Sequence, residues 1–242
     1  MKALILAAGR GRRLGRISRG LNKCMLNLRE KPLLEYSLDC AWGLEEIEEI
    51  VVVVGYKANN IIKRYGRAYK GKKIKYVKQE ERKGLVHAIE CAKAAVGPSD
   101  FMLMLGDELM IRPRHKEFIK NFKLKKVFAL CGMVHVSAKD LVKKTYTVIQ
   151  SKDKKIFRLI EKPNYIFNDL MGTGNCIFNN KIFDYIPKTP INQNRHEKEL
   201  PDLIQCAIDD GRIVKSFIIC DRYVNVNSKE EMKRTESYFA HI

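Results

Sequence analysis

No uninterrupted apolar run in this chain approaches the roughly 18 to 20 residues needed to span a bilayer. The opening stretch, Met1-Lys2-Ala3-Leu4-Ile5-Leu6-Ala7-Ala8-Gly9-Arg10, is apolar too briefly for a secretory signal and runs straight into arginines. Glycine (15) and proline (7) are not enriched, which excludes collagen-like and low-complexity chains. The seven cysteines, at 24, 40, 91, 131, 176, 206 and 220, form no C-x-x-C pair. Zinc sites and disulfide frameworks need close spacing, so free, mostly buried thiols in a reducing cytosol are expected. Acidic side chains are the scarcest charged class: 28 against 46 Lys and Arg, a formal net charge of +18. Such a field attracts anions, whether nucleotides, sugar phosphates, nucleic acid or an anionic membrane.

What is present is an ordinary globular composition, 45% apolar and 31% charged over 242 residues. That length suits one α/β domain or two small ones with a sizeable core. The basic charge is uneven. Residues 1–30 carry eight Lys and Arg against Glu30 alone, and residues 111–126 carry seven against Glu117. The second segment reads as a solvated face. In the first, arginines interleave with glycines.

Residues 2–7 form a continuous apolar run, the mark of a strand buried on both faces. A loop follows, Gly9-Arg10-Gly11-Arg12-Arg13-Leu14-Gly15. Pro32 opens a helix over 33–42. Strands are expected at 50–55, 74–77 and 100–105, and helices at 57–65 and 85–96, the latter stopped by Gly97-Pro98. Strand and helix thus alternate through the first half, which predicts a parallel sheet covered on both faces. Ligands bind such sheets off the carboxyl ends of the strands, so the loops at Gly9 and at Gly106-Asp107 should share one crevice. In the second half, strands are expected at 127–136, 146–150, 156–161, 171–178 and 213–219, with helices at 181–186, 197–210 and 228–239. Ser228 and Glu231 suit a cap for the last. The second half should extend the same sheet.

The glycine loop fails the dinucleotide fingerprint, because its third glycine is replaced by Leu14, and fails the Walker pattern. Glycines after a first strand still let backbone N–H groups approach phosphate oxygens, and Arg10, Arg12 and Arg13 add guanidinium groups suited to phosphate. Leu6-Ala7-Ala8-Gly9-Arg10-Gly11-Arg12-Arg13-Leu14, with Lys23 ten residues after Arg13, resembles the signature of the sugar-1-phosphate nucleotidyltransferase family, L-A-A/G-G-x-G-T-R-L then P-K. Gln79 with Gly84, His87 and Ala88 resembles its Q-x-x-x-x-G-x-x-x-A element, and Leu105-Gly106-Asp107 its L-G-D. Glu161-Lys162-Pro163 resembles E-K-P, Gly174 to Phe178 the strand G-x-x-x-F, and Val226 to Met232 the closing D-V-x-T-P-E-D-L. Six elements in the right order span almost the whole chain.

The resemblance implies an α/β, Rossmann-like, mostly parallel sheet flanked by helices, with a smaller mixed β extension in the second half. One domain, 1–242, is expected, with residues 1–125 binding nucleotide and 126–242 the acceptor. It also implies attack of an acceptor phosphate oxygen on the α-phosphorus of a nucleoside triphosphate, with loss of pyrophosphate. Such transfer needs positioning and charge neutralisation more than covalent help. In that reading Arg13 holds the β- and γ-phosphates and Lys23 bridges the two reacting anions. Asp107, with Asn225 or Asn227, holds Mg²⁺. Ala7, Ala8, Gly9, Gly11, Arg12, Gln79 and Gly84 bind the nucleotide, and Glu161, Lys162, Gly172 and Gly174 the acceptor. His87 reads as structural. The triphosphate could be UTP, CTP or dTTP.

The chain departs from the pattern at Asn22, where proline is common and serves only to stiffen the loop, and at Asn225 and Asn227, where an aspartate is usual, with Asp221 nearby. Thr147 replaces a glycine and Gly172 an asparagine beside the acceptor. Those two changes leave open a sugar-1-phosphate or a non-sugar phosphate or phosphonate such as phosphocholine. Two other classes stay open: an inactive nucleotide-sugar-binding regulatory subunit, and a nucleic-acid binder on charge alone, although no stacking platform or binding module accompanies it. No nucleic-acid or membrane partner is expected and a cytoplasmic location is; a homodimer is possible, but nothing in the sequence fixes the oligomeric state. The chain stops just past its closing helix, so a single activity is expected.

Overall fold

The computed structural model describes residues 1–11, 21–226, 231 and 235. Arg12, Arg13 and Asn227, and most of the expected closing helix, lie outside the described residues.

The chain runs β1 (Lys2–Ala7), α1 (Leu33–Trp42), β2 (Glu49–Val54), α2 (Ala58–Tyr65), β3 (Lys72–Lys78), α3 (Gly84–Cys91), β4 (Phe101–Leu105), β5 (Glu108–Ile111), α4 (His115–Lys125) and β6 (Ala129–His135). The second half continues with β7 (Tyr146–Gln150), β8 (Ile156–Glu161), β9 (Leu170–Phe178), β10 (Ile191–Asn192), β11 (Glu197–Lys198), α5 (Leu200–Asp209), β12 (Val214–Ile218) and β13 (Arg222–Asn225). One eight-stranded sheet organises them in the order β12-β6-β9-β4-β1-β2-β3, ending in the short strand Ala68–Tyr69. Neighbours from β4 through β1 and β2 to β3 are parallel. β9 is antiparallel to both β4 and β6, and β12 is parallel to β6. The α/β reading of the sequence therefore holds, and β6, β9 and β12 extend the first-half sheet.

Alternation along the central strands divides the core in two. Leu4, Leu6, Val51 and Val53 point to the face covered by Val86 and Ile89 of α3 and by Leu203, Ile204 and Ala207 of α5. Ala3, Ile5, Val52 and Val54 point to the face covered by Leu34 and Leu38 of α1 and by Phe118, Ile119 and Phe122 of α4. Both faces of β1 are thus buried, which is why its sequence is an unbroken apolar run. Successive strands leave β1 in one direction through β2 and β3, then β4 inserts on its other side. The carboxyl ends of β1 and β4 consequently meet at a topological switch point, where open α/β sheets place their ligands.

The helix expected over 197–210 starts instead at Leu200. Pro201 lies in its first turn, and a helix continued upstream would drive the pyrrolidine ring into the carbonyl of residue 197. Glu197–Lys198 pairs with Ile191–Asn192 as a hairpin that packs on α3. The segment expected as a helix at 181–186 is a 3₁₀ turn, Asn180–Tyr185, capped by the Asn179 side chain. Two further pairings were not expected. β5 pairs with β13 across the carboxyl end of the sheet, and β7 with β8 as a separate hairpin.

Candidate active site

A cavity of about 690 Å³ opens at the switch point and reaches into the second half. Gly9, Gly11, Lys23 and Asp107 line one end; Glu161, Lys162, Arg195, Glu197 and Glu199 line the other, with Gly172 and Gly174 between. A smaller adjoining cavity of about 290 Å³ is lined by Ala8, Gly9, Gln79, Arg82, Gly84 and Glu197, among others. The expectation that the loops after β1 and β4 share one crevice is met. Ala7 is buried in the β1 backbone.

Lys23 stands on a 3₁₀ turn and is only 7% exposed. Its ammonium makes an ion pair with Asp107 Oδ2 and donates to Asn225 Oδ1 at 3.1 Å. Register explains the meeting: Asn225 lies opposite Glu108 in the β5–β13 pairing, one residue beyond Asp107. Asp107 is no helix cap, since β5 follows it directly. Asn22 does more than stiffen the loop. Fully buried, its amide donates to the carbonyls of Ala7 and Tyr56 at 2.8 Å each and accepts from Cys24 N–H at 2.8 Å. One side chain therefore ties the end of β1, the loop after β2 and the Lys23 turn together, satisfying backbone groups that would otherwise be orphaned. Burial pushes the neighbouring Cys24 thiol far up, so it stays protonated.

Behind this end lies a carboxylate that the motifs do not mark. Glu108 is buried and accepts from Gly174 N–H at 2.9 Å, from Asn175 Nδ2 at 2.9 Å and from the Tyr223 hydroxyl. Burial, helped by Asp107, pushes it up to about 7 against those donors. Asn175 Oδ1 in turn meets His115 Nε2 at 2.9 Å. This network braces β5, β9 and β13, and with them Asp107 and Asn225. Asp221 is engaged elsewhere, with Arg112 and Arg114.

The other end is richer in carboxylates. Arg195 reaches Glu199 at 2.6 Å and Glu161 at 3.6 Å, and Lys162 lies 3.7 Å from Glu161. Burial and the adjacent Glu199 push Glu161 up to about 7 although both cations oppose it. Arg195, Glu197 and Glu199 carry no motif in the sequence; Glu197 and Glu199 fall in the helix expected over 197–210, which would have pointed them to different sides, and Arg195 precedes it. At Gly172 the structure explains the departure from asparagine. Any Cβ there would fall inside the Tyr146 ring, whose hydroxyl donates to the Thr173 carbonyl at 3.1 Å. Thr147, in place of glycine, is buried and donates to Asn168 Oδ1 at 2.7 Å, away from the cavity wall.

Asp107 and Asn225 are the side chains that could hold a divalent cation here; no cluster of three or more His, Cys, Asp or Glu side chains exists among the described residues. Their oxygens already converge on one cation, the Lys23 ammonium. One carboxylate and one amide oxygen fit Mg²⁺, which keeps water and takes phosphate oxygens as its remaining ligands.

The family model described as nucleotidyl transferase matches residues 2–223. The chain belongs to the nucleotidyl transferase family. The UTP–glucose-1-phosphate uridylyltransferase AglF of Haloferax volcanii is 31% identical over 98% of this chain and 95% of its own length. A glucose-1-phosphate thymidylyltransferase of Streptomyces griseus is 28% identical over 96% of this chain, which spans 64% of that longer protein. In fold, a UDP-glucose pyrophosphorylase solved with UDP-glucose superposes with a TM-score of 0.88 at 22% identity, covering 99% and 98% of the two chains. The UTP-bound enzyme of Acinetobacter baumannii superposes with a TM-score of 0.82 at 22% identity, covering 98% and 92%. No helix among the described residues is long and apolar enough to cross a membrane.

Proposed function

We propose that this nucleotidyltransferase joins a uridylyl or thymidylyl group to a sugar-1-phosphate. An acceptor phosphate oxygen forms the new bond to the α-phosphorus, the bond from the α-phosphorus to the bridging oxygen breaks, and pyrophosphate leaves with that electron pair. The observation that carries this reading is the convergence of Lys23, Asp107 and Asn225 at the switch point, at the head of a cavity that continues to Glu161 and Lys162.

The parts given to Lys23, Asp107, Asn225, Glu161 and Lys162 draw on their placement in the cavity, and those given to Arg12, Arg13 and Asn227 on the motif resemblance alone. The Lys23 ammonium, freed from Asp107 as substrate enters, offsets the repulsion between the incoming phosphate and the α-phosphate. Backbone N–H groups at Gly9 and Gly11, with Arg12 and Arg13, meet the triphosphate, Arg13 holding the leaving pyrophosphate. Asp107 and Asn225, or Asn227, would hold Mg²⁺, which when bound neutralises phosphate charge. Lys162 anchors the acceptor phosphate. Glu161, with Glu197 and Glu199 beside it, accepts hydrogen bonds from sugar hydroxyls. Three carboxylates suit a polyhydroxylic acceptor. An acceptor carrying a quaternary ammonium would call for an aromatic cage, whereas among the described residues the aromatics lining this cavity are Tyr146 and Tyr223, engaged with Thr173 and Glu108. The names of the relatives, uridylyl- and thymidylyltransferases of glucose-1-phosphate, agree. The same reading keeps residues 1–242 as one domain, nucleotide bound by 1–125 and acceptor by 126–242.

Pyrophosphate release, measured over four triphosphates against hexose-1-phosphates, phosphocholine and phosphonates, tests the reading. Turnover of UTP or dTTP with a hexose-1-phosphate is expected, and Asp107→Ala should lose both activity and its dependence on Mg²⁺. Turnover confined to phosphocholine or a phosphonate, or triphosphate binding without any turnover, would overturn it.

A further inference from the structure

Lys144 lines the larger cavity together with the cations Lys23, Lys162 and Arg195, yet no motif of the sequence marks it. It closes a 3₁₀ turn, Lys139–Lys144, just ahead of β7. β7 and β8 are antiparallel with Tyr146 opposite Glu161, and one step on the Lys162 N–H donates to the Thr145 carbonyl at 2.6 Å. Lys144 and Lys162 are therefore neighbours across the end of that hairpin. A regular ladder would turn successive side chains to opposite faces. Here Lys144 still belongs to the turn, and Lys162 holds φ +44°, in the left-handed region. The alternation is broken at this point, and both side chains line the cavity. Among the described residues one carboxylate pairs with Lys144: its Nζ lies 3.1 Å from Glu231 Oε1, and its side chain is 60% exposed.

A phosphate monoester carries close to two negative charges at neutral pH, its second pKa being about 6. Lys162 supplies one positive charge, and Glu161, 3.7 Å away, offsets part of it. Arg195 is held by Glu199 at 2.6 Å and by Glu161 at 3.6 Å. Lys23 is shared between Asp107 and Asn225 and has the α-phosphate to serve as well. Of these cations Lys144 is the most exposed. An exposed ion pair contributes little and a lysine stem is flexible, so its ammonium changes partners easily. We infer that Lys144 is a second ligand of the acceptor's phosphate: it turns from Glu231 to the phosphate that Lys162 anchors, and the two ammonium groups together neutralise it. The inference rests on the proposed reaction only in that the acceptor's phosphate arrives at Lys162.

The test compares wild type with Lys144→Ala, Lys144→Arg and Glu231→Gln. Acceptor KM and kcat come from pyrophosphate release at low and high salt, and UTP affinity from calorimetry without acceptor. Lys144→Ala should raise acceptor KM about tenfold, a charge-assisted hydrogen bond's worth, and Lys144→Arg should restore most of the loss. In Lys144→Ala, kcat and UTP affinity should stay within about twofold of wild type. The rise of acceptor KM with salt should be shallower in Lys144→Ala, because one attraction fewer is screened. Glu231→Gln should leave KM unchanged or lower it, since it releases the ammonium. An acceptor KM within about twofold of wild type in Lys144→Ala overturns the inference. So does an equal rise in Lys144→Ala and Glu231→Gln, which would make the pair a structural clasp. A loss of UTP affinity as large as the rise in KM also overturns it, by assigning Lys144 to the triphosphate. Every acceptor in the panel bears a phosphate or phosphonate, so the comparison uses whichever one wild type turns over. The same Lys144 effects with phosphocholine alone overturn the sugar reading and leave the inference standing. If wild type turns over none, calorimetry with glucose-1-phosphate in the presence of UTP decides. Weaker binding in Lys144→Ala then upholds the inference without the reaction, unaltered binding overturns it, and a wild type that binds no glucose-1-phosphate overturns both.

Discussion

The two ends of the cavity handle charge in opposite ways. At the switch point, among the described residues, the Lys23 ammonium is held by Asp107 and Asn225, and Glu108, pushed up to about 7 by burial, is tied down by three neutral donors. At the far end, carboxylates outnumber the cations beside them, and Glu161 is pushed up to about 7 by burial and Glu199. The closed set at the first end suits a place where highly charged phosphates arrive and must exchange partners with an ammonium that is already aimed. The surplus at the second end suits neutral hydroxyl donors, which an anionic wall recognises without a counterion. Rigid bracing accompanies the first: Asn22 and Glu108 lock it from both sides. Mostly buried carboxylates and half-exposed cations, on hairpins and at the start of α5, make the second.

Four changes probe that contrast. The largest effect belongs to Lys23→Ala, which should lower kcat by about 10³-fold while leaving triphosphate binding measurable. Steady-state rates within about twofold of wild type would remove Lys23 from the chemistry. Next comes Asn22→Ala, which leaves the buried carbonyls of Ala7 and Tyr56 without their donor. A stability loss of about 2–4 kcal/mol is expected in urea titration, and a loss under 0.5 kcal/mol would mean that the loop does not depend on this amide.

At the middle of the cavity, Gly172→Ala should cost about 1–3 kcal/mol by forcing the Tyr146 ring aside. Its melting temperature is the readout, and an unchanged value would show that the wall is softer than the contrast requires. The smallest effect is at Glu161. As it titrates near 7, the acceptor KM should fall as pH rises through that value, because only the carboxylate accepts two hydroxyls at full strength. Glu161→Gln should flatten the profile and raise KM about tenfold. On stability the sign is reversed. A carboxyl whose folded pKa lies above its unfolded value binds its proton more tightly when folded, so its contribution is fully present below about 4.5 and is lost as pH rises through about 7. A KM profile that is flat in wild type would detach Glu161 from the acceptor.

Much of the first end was legible because it is local in sequence. The glycine loop follows β1 directly and Asp107 follows β4 directly, and an apolar run ending in glycine announces both. Arg195, Glu197 and Glu199 were not legible, because their placement depends on the hairpin of Ile191–Asn192 with Glu197–Lys198 and on α5 starting only at Leu200, whereas residues 197–199 read as helix. Asn22 read as a neutral replacement for proline, since two of its three partners, the carbonyls of Ala7 and Tyr56, lie on segments that only the fold brings to it.

The amino-acid sequence by itself determined the class of fold and the phosphate-handling end, because the period of apolar residues dictates which strands are buried and glycines mark where the backbone must open. Tertiary structure alone decided which oxygens share Lys23, since Asn225 stands 202 residues away from it, and which way the Gln79 amide faces, its nitrogen toward the Gly84 carbonyl. Both are settled by partners distant in the chain or by the directionality of a hydrogen bond, and neither leaves a trace in local pattern.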